Sequence, residues 1–595
     1  MSPFRTLLAI LAVFFLVGLL SFIFPAEGIS FGSYTLRFPS LTEELRENAQ
    51  VDSVTVNPEE QIQKMLEETR AKEFAEYADS LAFYEEFFRN GSTRFDFPDE
   101  NIAWFDRFFQ EIEEASDSGE VVHIVHYGDS QLEGDRITST LREFLQTLWK
   151  GTGPGMVPPL ADIPSFVFNG HSIGNLERHR IFGPASEHAR HNKYGPLAQV
   201  TDLRGSATFT FKKSLHLKGY PHAGKFQKIR LLANKANLKT KLIYSATVSD
   251  TIFADSLPPK IVEKKKKFQA NLPEVETFPG LSLYTWNLQY ETESVTLTVS
   301  GNAELYTIAL DANAGVAVDN VAMRGSSGTI FTKMDNALLA SSLRAMNAKL
   351  IIMEYGGNLM PSVNKSNLDW VERILEKQIL AIREAAPDAD ILFIGPADMS
   401  KKIGGRWNSF PSLEMTIEKI REIALRNGCA YWDMYRVMGG HNAMISWLKE
   451  NLGGPDYIHF TRNGAARMGE LLYQAIKLHY DHYRFRKSHG IDTEKWNEIH
   501  AFQNQEKSAD TLIAQNDTLV LTPIEKIPED DNFVLDSADE KSDFENADSI
   551  PSEISDSVNA AENAPTNELK EEFNESVDSA SAEIRPENSP SEETP

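Results

Sequence analysis

Residues 121–127 are rich in β-branched and apolar side chains, and the run stops at Gly128-Asp129-Ser130. Polar and helix-forming residues follow over 133–142, so the pattern predicts a strand, a tight turn and a helix. The same alternation returns after residue 313, with strands predicted at 350–355, 391–394 and 430–433 and helices at 367–385, 412–426 and 465–478. A helix over 100–116 is predicted from the spacing of Ile102, Trp104, Phe105, Phe108, Phe109 and Ile112, and should pack just ahead of the first strand. Strands alternating with helices imply an α/β architecture with a parallel, doubly wound sheet. In such sheets ligands collect at the carboxyl ends of the strands. Ser130 falls at one of those ends and at the start of a helix, where free N–H groups and the positive dipole end favour a developing negative charge.

Between these stretches the period changes to two. Ala207-Phe209-Phe211, Ile229-Leu231, Leu242-Tyr244-Ala246-Val248 and Val295-Leu297-Val299 alternate with polar residues. Short alternating runs separated by turn residues predict a β-sandwich, here an insertion over 161–313 behind the Gly/Pro-rich loop 151–159. At the other extreme, residues 6–24 carry no charge and approach the roughly 20 residues of a membrane-spanning helix. Arg5 precedes this run and Glu27 follows it, which leaves the N-terminus in the cytoplasm and the rest outside. A cleaved signal peptide is the competing reading. Phe24-Pro25-Ala26-Glu27-Gly28 is a poor small-x-small cleavage site, which favours an uncleaved anchor. The predicted organisation is a transmembrane anchor (1–30), a charged helical stalk (31–99), an α/β domain in two parts (100–160 and 314–485) split by the β insertion (161–313), and a tail (486–595).

Composition refines this division. The chain has 595 residues and a net charge of −27, but from Pro528 onward the only basic residues are Lys541, Lys570 and Arg585. Most of the acidity lies in that tail, whose Glu, Asp, Ser, Asn, Ala and Pro cannot bury enough apolar area to offset ordering entropy; it is predicted to be disordered. No basic, aromatic-laced surface is apparent, so nucleic acid is not an expected partner. Cys429 is the only cysteine, which excludes an intramolecular disulfide and a lipid anchor on cysteine near the N-terminus; it reads as a small buried hydrophobe. His171, His179, His188 and His191 match no zinc spacing and read as groove-lining or solvated side chains. Tyr284, Trp286 and Tyr290 have strand spacing and read as core rather than as a sugar platform.

Three further strand ends carry polar residues: Ala322-Met323-Arg324-Gly325-Ser326-Ser327-Gly328, Tyr355-Gly356-Gly357-Asn358, and Asp456-Tyr457-Ile458-His459. The Asp-x-x-His spacing lets one carboxylate meet an imidazole nitrogen while the other nitrogen faces a serine, fixing the tautomer and stabilising the imidazolium. Main-chain N–H groups of Ser130 and Gly328 with the Asn358 amide are candidate oxyanion donors. Losing one such donor typically costs about 3 kcal/mol of transition-state stabilisation. Each residue has a plainer reading when taken alone: Ser130 as an N-cap, His459 as a loop histidine, Asn358 as a turn residue.

Together these stretches resemble a known family. GDSQLEG, RGSSG, YGGN and DYIHFTRNG look like blocks I, II, III and V of the SGNH/GDSL hydrolases, in that order, over roughly residues 120–160 and 320–480. The resemblance implies a nucleophile at Ser130, a base at His459 with Asp456 as its partner, and oxyanion donors at Ser130, Gly328 and Asn358. Gly325 competes with Gly328, and the family spacing favours the later glycine. Two departures stand out: Leu359 follows Asn358 where many members have Asp, and block II lies far downstream of Ser130. An insertion between blocks I and II, with GTGPG after the first helix, is similar to the peptidoglycan O-acetylesterase branch, whose inserted module resembles a carbohydrate-binding domain. The resemblance therefore implies a serine esterase acting on an acylated envelope glycan, with no metal or organic cofactor. Two readings compete with it. One is an O-acetyltransferase using the same residues, supplied by a membrane acyltransferase partner. The other is a non-catalytic glycan-binding scaffold.

Overall fold

The computed structural model describes residues 77–496 except 215–218, 255–256 and 493, together with residue 72 and scattered positions between 12 and 36. The chain divides into two compact units, Met1–Ala82 and Phe83–Pro595. In the first, Ile29–Phe31 and Tyr34–Leu36 pair as a short antiparallel hairpin. Most of the expected anchor and stalk, and all of the tail beyond 496, lie outside the described residues. Among the described residues no helix is long and apolar enough to cross a membrane.

The second unit is built on a six-stranded sheet. Its order is Gly315–Ala322, Val121–Gly128, Ala348–Glu354, Asp390–Ile394, Ala430–Trp432 and Phe95–Asp96. The first five strands are parallel, as the alternation predicts, and the last is antiparallel. Phe95–Asp96 falls in the segment read as stalk. It closes the sheet edge instead, and its side chains are buried there.

Side chains alternate across the central strand. Val122 and Ile124 join one core with Phe105, Phe108, Phe109 and Ile112, under the helices Asp106–Ser118, Arg136–Trp149 and Arg462–Ser488. Val125 and Tyr127 join the other, under the helices Asn336–Ala345, Leu368–Ala385 and Leu413–Arg426. Helices on both faces explain why these strands read as unbroken apolar runs. Cys429 is fully buried in the second core, where burial pushes its thiol up to about 11.

The last helix, Arg462–Ser488, is far longer than the predicted 465–478 and crosses the expected domain limit at 485. Its second half buries His479 and His482 among Phe87, Phe88, Phe95 and Tyr84. Burial, reinforced by the positive charge of Arg486, lowers His479 to about 3 and His482 to about 2. A histidine lowered on folding favours the native state only while the unfolded chain is also neutral, so stability is lost as pH falls below about 6.5. Thermal melts should therefore drop between pH 7.5 and pH 5, and His479→Phe with His482→Phe should flatten that drop. An unchanged pH slope in the double variant would contradict this account.

Between 161 and 313 the described residues are mostly β-strand, with two short 3-10 turns, and they do not form the two separate sheets of the expected sandwich. One nine-stranded sheet is continuous through the 18-residue strand Ser294–Asp311. The first part of that strand pairs with Gln199–Lys213 on one edge and Lys239–Ala254 on the other. Its last part pairs with Phe226–Ala233 and Gly155–Val157. Tyr284 and Trp286 are buried in this module's core, consistent with their strand spacing. Gly155–Val157 against Ile308, Ala309 and Leu310 forms a stem that brings both ends of the insertion beside the α/β sheet. There a buried cluster joins the two parts: His123 bonds Asp319 at 2.8 Å, and Arg230 from the insertion bonds both His123 and Asp311.

Candidate active site

The turn after Val121–Gly128 does not lead directly into an α-helix. Residues Ser130–Asp135 form a kinked 3-10 stretch, with Glu133 extended and Gly134 left-handed at φ 68°. The α-helix Arg136–Trp149 starts only afterwards. A helix dipole fades within its first turn, so the expected help from the helix N-terminus is weaker than the sequence suggests. Local donors must carry any charge stabilisation. Gly128 is needed where it stands, because a Cβ there would lie 2.7 Å from the Leu132 side chain.

Residues 329 positions apart meet above this turn. Ser130 Oγ lies 2.7 Å from His459 Nε2, and His459 Nδ1 lies 2.7 Å from Asp456 Oδ2. The other Asp456 oxygen accepts the backbone N–H groups of Ile458 and His459, each at 3.0 Å. Burial alone would raise the Asp456 carboxyl. The hydrogen bonds from the His459 ring and from those two N–H groups outweigh it and hold the group at about 2. Ser130, His459 and Asp456 are all part-exposed, so the hydroxyl is accessible from solvent.

The oxyanion candidates gather around Ser326. Gly328 N–H donates to Ser326 Oγ at 3.1 Å, and Asn358 Nδ2 donates to Ser326 O at 3.1 Å. Asn358 Nδ2 also donates to Asp129 Oδ2 at 2.8 Å, which ties it to the residue before Ser130. Gly328 is buried against Tyr355 and has φ +82°; a Cβ there would lie 2.7 Å from the ring. Gly325 is exposed, with only the Phe182 ring within 4 Å of an added Cβ. Leu359, the departure from the family pattern, is fully buried in the core.

Asp129 was not singled out by sequence reasoning. Burial pushes its carboxyl up to about 7, the Gln131 N–H opposes that rise, and the charge of Glu354 adds to it. The consequence for stability is opposite to that of the buried histidines: this group's contribution weakens as pH rises from the ordinary carboxyl range towards 7. Gln131 and Arg136 were missed too. Gln131 brackets His459, and Arg136 donates to the carbonyls of Ser130, Glu133 and Phe460. Gln131 directly follows the nucleophile position, which was its only signal in the sequence.

The four histidines of 171–191 do not converge. His188 bonds the Gly183 carbonyl, His191 pairs with Glu304, and His171 is exposed. Among the described residues, Glu177, His179 and Asp202 are the one group whose ligand atoms lie within 4.8 Å of one another. Arg204 already stands 3.8 Å from Glu177 and 3.6 Å from Asp202.

The chain is similar to SGNH/GDSL hydrolases in its motifs, and comparison with solved structures finds esterases. One is a peptidoglycan O-acetylesterase, 19% identical over 63% of this chain and 96% of that one, with a TM-score of 0.45. Another is an acetyl xylan esterase, 16% identical over 27% and 81%, with a TM-score of 0.22. A third is a family two carbohydrate esterase from Cellvibrio japonicus, 11% identical over 53% and 99%, with a TM-score of 0.21. No protein-family model matches the chain, and no curated protein matches it. At these TM-scores the likenesses carry no chemistry; that rests on the contacts around Ser130.

Proposed function

We propose that the protein is a serine esterase of the SGNH type that removes O-acyl groups, O-acetyl above all, from an envelope glycan. The observation that carries this reading is the contact from Ser130 Oγ through His459 to Asp456, each step 2.7 Å. Ser130 Oγ attacks the ester carbonyl while His459 Nε2 takes its proton. Asp456 holds the ring in the required tautomer and balances the imidazolium. The oxyanion is met by the main-chain N–H groups of Ser130 and Gly328 and by the Asn358 amide; the Ser326 hydroxyl swings off the Gly328 N–H, and the Asn358 Nδ2 turns from Ser326 O and Asp129 towards the new charge. The tetrahedral centre then expels the sugar alkoxide, which takes the proton from His459. Water, activated by the same imidazole, releases the acyl group from Ser130.

The motif resemblance to the acetylesterase branch supports the glycan and the acetyl group, and in this reading the β insertion presents the polymer to the site. An N-terminal anchor with the esterase outside the cytoplasm fits the apolar run 6–24. The test is incubation of the purified full-length protein with O-acetylated cell-wall glycan, followed by mass spectrometry. Loss of acetyl groups from the polymer and release of acetate are expected. Gain of acetyl on the glycan when an activated acetyl donor is supplied would replace hydrolysis by transfer.

A further inference from the structure

The segment that carries the nucleophile also templates the loop that carries the base. The peptide groups around His459 are all accounted for. Ile458 N–H and His459 N–H are taken by Asp456, and the His459 carbonyl accepts the Gly454 N–H at 2.6 Å. The remaining three groups are met by side chains just after Ser130. Gln131 Nε2 donates to the Ile458 carbonyl at 2.9 Å, and Gln131 Oε1 accepts the Phe460 N–H at 3.2 Å. Arg136 Nη1 donates to the Phe460 carbonyl at 3.2 Å, and its Nη2 donates to the carbonyl of Ser130.

Gln131 thus does for His459 what a neighbouring strand does for a residue in a sheet: one donor and one acceptor, on either side of the residue, facing one edge of its backbone. Arg136 fixes the nucleophile's own peptide and the far side of the base in one guanidinium. Resting on the esterase reading above, we propose that Gln131 and Arg136 are positioning residues that set the separation of Ser130 Oγ and His459 Nε2. Among the described residues the base loop has no strand partner beyond the isolated bridge Gly453–Phe460; Ser400 N–H donates to the Tyr457 carbonyl at 2.9 Å and Trp407 stacks on Tyr457, which hold the loop ahead of Ile458. Asp456 shapes the loop from within, and these two side chains are what tie its Ile458–Phe460 peptides to the segment that carries Ser130. A misplacement of about 1 Å between reacting groups can lower rates by about 100-fold.

The test uses the full-length protein and two variants of Gln131. In Gln131→Met, which keeps the length but neither hydrogen bond, kcat for p-nitrophenyl acetate should fall by about 10- to 100-fold with KM unchanged. In Gln131→Glu, the acceptor to Phe460 survives but an ionised carboxylate cannot donate to Ile458, so the deficit should deepen as pH rises through the carboxyl's titration. The deficit of Gln131→Met should not change with pH. A side chain needed only for folding would not produce that difference. Hydrogen exchange supplies a readout independent of turnover: the Phe460 amide should exchange faster in Gln131→Met than in wild type. Wild-type kcat in Gln131→Met, or a loss confined to KM, would overturn the proposal. If the wild type itself hydrolyses no ester, the esterase reading fails, and unchanged protection of Phe460 would then overturn the positioning role separately.

Discussion

Ser130→Ala is expected to lower ester turnover by about a million-fold, leaving KM nearly unchanged. The hydroxyl is the only group at this turn that both faces solvent and touches an imidazole nitrogen. Its removal abolishes the acyl-enzyme rather than weakening it. A residual acceleration of about 10³- to 10⁴-fold over water should persist, because the oxyanion donors and the binding surface remain. Fluorophosphonate labelling should vanish in the same variant, since the probe needs the same oxygen. The substitution removes one oxygen from a half-exposed turn residue, so the fold should be undisturbed. The measurement is p-nitrophenyl acetate hydrolysis beside labelling, on matched preparations. Equal turnover in wild type and variant would remove the esterase reading entirely.

Asp456→Asn is expected to lower kcat by about 10⁴-fold, again with little effect on KM. The asparagine oxygen can still accept the N–H groups of Ile458 and His459, which keeps the loop in place. Its amide, however, would present an N–H to His459 Nδ1. That forces the ring proton onto Nε2, the nitrogen that must accept from Ser130. The wild-type carboxyl, held at about 2, is ionised wherever the imidazole can act as base, so Asp456 should add no limb of its own to the neutral pH–rate profile. A loss of only a few-fold in Asp456→Asn would mean that His459 is oriented by other groups and that the carboxylate is structural.

Much of the α/β framework could be read in advance because its strands are buried on both faces and its helices carry clear apolar stripes. The segments at Val121–Gly128, Asp390–Ile394, Leu368–Ala385 and Leu413–Arg426 lie within a residue or two of their predicted bounds. The triad contact was legible for a different reason. Asp456 and His459 are only three residues apart, and their partner stands in a turn whose chemistry is local. What escaped was set by tertiary context. Phe95–Asp96 is too short to show a period and becomes a strand only because Ala430–Trp432 offers an edge. The 3-10 stretch after Ser130 follows from Gly134 and Asp135 both taking positive φ, which no apolar pattern signals. The insertion's alternation correctly gave β structure, but alternation does not say whether two sheets are separate or share one long strand. Gln131 and Arg136 are ordinary polar residues until the loop from the other end of the chain arrives beside them.

The stem of the insertion also bears on how the chain reaches its native state during synthesis. Val121–Gly128 has no neighbour within the α/β part until Gly315–Ala322 emerges roughly two hundred residues later, a separation that by itself predicts slow assembly. The insertion, by contrast, contains local antiparallel pairs such as Lys239–Ala254 with Leu257–Gln269 and Glu274–Phe278 with Leu281–Thr292, from which it can consolidate first. Once Gly155–Val157 has met Ile308, Ala309 and Leu310, closing a span of roughly 190 residues becomes closing one of roughly 30, a saving of about 1.5 kcal/mol in chain entropy. The inserted strands would then act as an internal chaperone for the α/β part they interrupt, and deleting them without splicing the stem should yield aggregates rather than a smaller folded protein.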